Sequence, residues 1–149
     1  KTFREEYVLP YSLICFYGVV NESAAKYTRL TDEDVDKLMD ALWNGTKNLI
    51  SRSKAGQQPR ILIRVVCKEK HYHIGELDKL VVFKSDLNDE EIRDVEEGSF
   101  DFSKLIQVLA LNRDKVECIE LVLDQRVKTE QELPQALSEL GIDVREIEF

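Results

Sequence analysis

Between Arg60 and Lys68 the chain alternates without a break: Ile61, Ile63, Val65 and Cys67 fall on one side of an extended strand, and Arg60, Leu62, Arg64, Val66 and Lys68 on the other. One face is dry and the other cationic, so this strand belongs in a sheet with one covered side. The pattern around it predicts the remaining elements. Tyr7 to Val20, rich in β-branched and aromatic residues, reads as a strand that ends at the turn-like Asn21-Glu22-Ser23. Thr31 reads as an N-cap, followed by Asp32, Glu33 and Asp34, with Leu30 placed to staple onto Val35. Val35, Leu38, Met39, Leu42 and Trp43 recur at helical spacing, which puts Trp43 in the core rather than on a base-stacking surface. Gly45 either ends this helix or is tolerated within it.

Further on, Tyr72 to Ile74 and Leu80 to Phe83 read as strand. Ser85 to Gly98 is an acidic connector, Asp101 caps a helix bearing Phe102, Leu105, Ile106 and Leu109, and Val116 to Leu123 is a strand. Pro134 to Leu140 is a short helix with Gly141 just past its end, and Ile142 to Ile147 is a last strand. Strand, helix, strand, strand, helix, strand, with an extra helix and strand at the C-terminal end, is the order of an α+β fold of the split βαβ, ferredoxin-like or RRM type. At 149 residues the expectation is one α+β domain spanning 1–149.

Charge is segregated along this domain. The net charge is −8, yet from Ala41 to Lys68 there is no Asp or Glu, and the segment holds Lys47, Arg52, Lys54, Arg60, Arg64 and Lys68. That segment carries +6 and leaves −14 on the rest. Within it, Ser51 to Pro59 is loop, and Asn44 to Lys47 together with Ser51 to Gln58 supply cations, hydroxyls, amides and permissive glycines, the chemistry that contacts phosphate oxygens. Two uses fit such a segment: RNA binding, or docking on an acidic surface such as Asp86 to Glu97 of a neighbouring copy. The RRM signature of a basic residue and glycine followed by interleaved aromatics is absent, so the phosphate backbone rather than the base faces is the expected target.

Catalytic and metal signatures are lacking. Cys67, His71 and His73 would share one face of a strand, but the spacing matches no closed zinc pattern; with Lys70 and Tyr72 beside them, the two histidines leave open a metal-independent ribonuclease. No glycine-rich phosphate loop or nucleophile elbow occurs, so no cofactor, no metal and no catalytic residue is expected. Cys15, Cys67 and Cys118 each sit in an apolar run, as free thiols do in a reducing compartment, which points to the cytoplasm. The longest apolar stretch, Leu9 to Val20, is too short to span a membrane.

From Tyr7 to Asp78 the ordered words Leu-Pro-Tyr-Ser-Leu-Ile, Tyr-Gly-Val-Val-Asn-Glu, Ala-Leu-Trp-Asn-Gly-Thr-Lys-Asn-Leu, Ser-Arg-Ser-Lys-x-Gly-Gln-x-Pro-Arg and Tyr-His-Ile-Gly-Glu-Leu-Asp closely resemble one family. It is the backbone subunit of type I CRISPR surveillance complexes (Cascade), in its subtype I-B branch. The resemblance implies a modified RRM fold, of which this chain is the C-terminal portion. It also implies a non-catalytic scaffold whose copies stack in a helical filament along CRISPR RNA, meet target DNA through the guide and contact other surveillance-complex subunits. The family's basic motif falls on Lys47, Arg52, Lys54 and Arg60, with Ser53 and Gln57 alongside, and these are the expected RNA-binding residues.

Overall fold

The computed structural model describes residues 3, 5, 7, 9–52 and 54–149. In chain order its elements are α1 (Glu22–Thr28), α2 (Asp32–Asp40), β1 (Ile61–Cys67), β2 (Val82–Lys84), β3 (Ser99–Asp101), α3 (Ser103–Leu111), β4 (Val116–Leu123), α4 (Leu133–Glu139) and β5 (Asp143–Glu146). The fold is α+β. β4 is the centre of a three-stranded sheet, antiparallel to β1 and parallel to β5, while β2 and β3 form a separate antiparallel pair.

The alternation in β1 has the expected consequence. Ile61, Ile63 and Val65 lie opposite Leu123, Leu121 and Ile119 of β4 and pack against the main core. That core is closed by Phe102, Leu105 and Leu109 of the α3 region, Leu133 and Leu137 of α4, and Val95 and Phe100. Asp101 accepts from the Ser103 N–H at 2.8 Å, satisfying one donor at the start of α3. The β2–β3 pair is drawn in by Lys84, whose Nζ is 2.7 Å from Asp101 and 2.9 Å from Glu130. Gly98 is needed here for space: a Cβ would come within 2.4 Å of both the Lys84 carbonyl and the Phe83 ring. Past α4, Gly141 takes the left-handed conformation at φ 76° that ends the helix.

Thr31 caps α2 in a reciprocal box, accepting from the Asp34 N–H while Asp34 accepts from the Thr31 N–H. The helix does not stop at Gly45. It runs on through one wide π turn, Ala41–Gly45, to Lys47.

Three expectations need correction. Among the described residues from Leu9 to Val20 there is no strand; a β-rich sequence supplies propensity, but a strand exists only where a neighbour takes up its backbone groups. This segment instead touches the region after β1 through side chains, with the Tyr17 hydroxyl donating to the Ile74 carbonyl at 3.3 Å. The supposed turn at Asn21-Glu22-Ser23 opens α1, capped by Asn21, whose side chain accepts from the N–H groups of Ser23 and Ala24. Tyr72 to Ile74 is not strand either, so among the described residues the element order begins with two helices and the first strand is β1.

The accessible surface is 10964 Å². A compact monomer of 17.3 kDa exposes roughly 7,800 Å². The excess is concentrated in the first fifty residues, where Leu9, Ile14, Phe16, Tyr27 and Ile50 are all more than half exposed.

Candidate nucleic-acid interface

The end of α2 and the start of β1 hold the basic loop between them. Asn48 closes the helix by donating both its N–H and its side-chain amide to the Asn44 carbonyl, at 2.9 and 2.8 Å. Beyond it the loop folds on itself in tight turns. The Ala55 N–H donates to the Ser51 carbonyl at 3.0 Å, the Gln57 N–H reaches the Lys54 carbonyl at 3.4 Å, and Gly56 supplies a left-handed residue at φ 89°. These turns bring Arg52, Lys54 and Gln57 together on one short loop, one helical end away from Lys47.

Lys47 and Lys54 are exposed, and no carboxylate among the described residues bonds to either. Arg52 is exposed while keeping contact with its surroundings, and Gln57 is half-buried. Ser53 lies outside the described residues.

Arg60 stands apart from the others. At the foot of the loop its Nη1 donates to Asp124 Oδ1 at 2.7 Å, with side-chain exposures of 19% and 29%. The Asp124 N–H returns a bond to the Arg60 carbonyl at 2.8 Å. Arg64, one turn of the pleat further in, is likewise matched: its Nη1 lies 2.9 Å from Glu120, its register partner on β4, and 3.1 Å from Asp36 of α2. The two arginines of the cationic face read from β1 are therefore matched by carboxylates brought in by β4, while Lys68, Lys47 and Lys54 are exposed with no carboxylate partner among the described residues. Tyr11, from the N-terminal segment, stands at the same foot. Its phenol is pushed above its ordinary value, chiefly by burial, with Asp94 and Glu97 adding to the rise and Arg60 opposing it.

The sequence that builds this geometry matches the model of a known protein family. The model for CRISPR-associated protein Cas7 covers residues 1–103, which include the whole basic loop, β1 and the first two helices. The chain belongs to the Cas7 family. It is 33% identical to the CRISPR-associated protein Cas7 of Haloferax volcanii across 94% of this chain and 44% of that protein. The chain thus spans less than half the length of that Cas7 relative.

The other residues singled out from the sequence are not gathered into a second site. In this Cas7-family chain the His71 N–H donates to Glu22 Oε1 at 2.6 Å and its Nδ1 lies 3.1 Å from Ser23 Oγ, so the ring ties the turn after β1 to α1. Tyr72 points elsewhere, donating to Asn112 Oδ1 at 2.6 Å beneath the Lys115 ammonium. Cys67, His71 and His73 do not share a strand face, because residues 71–76 are not strand, and no group of three or more His, Cys, Asp or Glu among the described residues is placed to hold a metal ion. No helix among them is long and apolar enough to cross a membrane. Trp43 departs from its expected place. It is half-buried 6.4 Å from the Phe149 ring, outside the main core, along a groove of about 580 Å³ shared with Gln125, Glu146 and Glu148.

Asp124 and Glu120 are the residues that sequence reasoning missed. A charge count along the chain sees only the acid-free window; it does not see that the antiparallel register returns two carboxylates to it from 56 and 64 residues away.

Proposed function

We propose that this chain is part of a Cas7-type backbone subunit that holds CRISPR RNA by its phosphates and catalyses no reaction itself. Lys47, Arg52 and Lys54 supply the charged contacts, Ser53 and Gln57 add hydrogen bonds, and Arg60 completes the basic motif at the base of the loop. The observation that carries this reading is the exposed, acid-free segment at the helix end and loop, in which Lys47 and Lys54 have no carboxylate partner among the described residues. A guide's spacer differs from one RNA to the next, so its holder gains by gripping phosphates and leaving base edges free to pair with target DNA. Family membership supports the rest of the proposal: a modified RRM fold in the full-length protein, copies arranged in a helical filament, other surveillance-complex subunits as neighbours, and a cytoplasmic setting.

The test is a titration of labelled single-stranded RNA of mixed sequence at several salt concentrations. Three phosphate contacts give a log-log salt slope of about −2, since each contact on a single strand contributes roughly 0.7. Arg52→Glu with Lys54→Glu is expected to abolish retention of RNA while the far-ultraviolet CD spectrum stays unchanged. RNA retained by that double variant overturns the assignment.

A further inference from the structure

A carboxylate beside an RNA-gripping loop repels the ligand, so its presence calls for a compensating role. Asp124 is such a group, and it is built in rather than incidental. Its Oδ1 accepts from Arg60 Nη1 at 2.7 Å and from the Arg126 N–H at 3.1 Å, and its carbonyl accepts from the Val127 N–H at 3.0 Å. Arg126 in turn fixes this turn to the acidic connector, donating to Asp94 and Glu96, each at 2.6 Å, while Lys128 Nζ donates to the Glu96 carbonyl at 2.5 Å. Arg60 thus ends the loop inside a network anchored on three segments of the chain. Half-buried and charge-assisted, such a contact is stronger than an ion pair held in open water.

We propose that Asp124 is a positioning residue for the basic loop, acting through Arg60, so that the pair serves as a latch holding Arg52 and Lys54 in place and Arg60 is not itself a phosphate contact. The latch stands on the geometry alone; its effect on RNA rests on the function proposed above. Simple electrostatics makes the opposite forecast, because removing a negative charge next to the loop ought to tighten RNA binding.

Asp124→Asn keeps the acceptor for the Arg126 N–H and removes only the charge. In the full-length protein without RNA, trypsin is expected to cut after Arg52 and Lys54 faster in this variant than in the parent, with other sites unchanged. Equal rates overturn the latch whatever RNA does. With RNA, the variant is expected to bind about fivefold more weakly, as when the competent loop is populated roughly a fifth of the time, with the salt slope unaltered. Arg60→Gln should weaken binding to the same degree, and the double variant no further, the signature of two residues acting as one. Tighter binding by Asp124→Asn, or a salt slope flattened by about 0.7 in Arg60→Gln, overturns the positioning role and makes Arg60 a direct contact. A parent protein that binds no RNA defeats the proposed function instead, and leaves the latch to be decided by the trypsin rates.

Discussion

The first fifty residues and the stretch from Ile92 to Ile142 are both rich in apolar side chains, and they use them in opposite ways. Among the described residues, every buried hydrophobic except Val35 lies at or beyond Ile92, whereas fifteen of the eighteen large hydrophobics left exposed lie at or before Ile50. Composition does not separate the two regions; partners do. β4 has a strand on either side and helices closing one face, so its apolar residues are covered, while the segment from Leu9 to Val20 forms neither helix nor strand and joins no ladder. The N-terminal region is held by discrete polar ties, Tyr17 to Ile74, Glu22 to His71 and Asp36 to Arg64, and leaves many of its large apolar side chains exposed.

This contrast can be broken by mutation. Leu109→Ala, at a fully buried position, is expected to destabilise by about 2–5 kcal/mol in chemical denaturation, whereas Phe16→Ser, at an 85% exposed one, should change stability by less than about 0.5 kcal/mol. A large loss from Phe16→Ser would show that the N-terminal segment is covered in solution. Gly98→Ala should cost about 1–3 kcal/mol, because the added methyl meets the Lys84 carbonyl and the Phe83 ring inside the β2–β3 pair. Thr31→Ala removes the cap of α2 and is expected to cost about 1 kcal/mol at most, seen first as faster hydrogen exchange in that helix alone, since it is joined to the core by few contacts.

The mildest probe is acid. The His71 N–H holds Glu22 below the ordinary carboxylate range, and Lys84, followed by Ser103, holds Asp101 much further below it. Both folded values are depressed, so each contribution is complete above the unfolded value near pH ~4 and fades as pH falls through the folded one. The α1–His71 tie should therefore open at a higher pH than the Lys84–Asp101 contact, which NMR titration of the two regions would resolve.

Local signals in the sequence were sufficient for several elements. The Thr31 cap, the alternation of β1, the eight-residue β4 and the Gly141 stop all depend on residues within one or two turns of each other, and Asp101 does mark the start of α3, though the capping position itself falls one residue later, at Phe102. The basic loop was equally legible, as an acid-free stretch between a helix and a strand. What failed depended on distant chain. Tyr7 to Val20 had the residues of a strand without a neighbour to pair with, and α1 was hidden because Asn21 serves a turn and a helix cap equally well. Arg60 and Arg64 looked like open cations because Asp124 and Glu120 reach them only through the ladder. Trp43 matched the apolar stripe of α2, but the wide turn that begins two residues earlier interrupts the spacing on which that expectation relied.

The distance between Arg60 and Asp124 also bears on how the molecule is made. The loop is translated before the strand that anchors it, and 64 residues separate the two halves of the latch. On the ribosome the basic segment therefore emerges with its charge unbalanced and its foot untied, and stays so until β4 has cleared the exit tunnel and paired with β1. If the latch acts as proposed, ordered presentation of Arg52 and Lys54 waits until the chain has been made through Asp124, well after the loop itself.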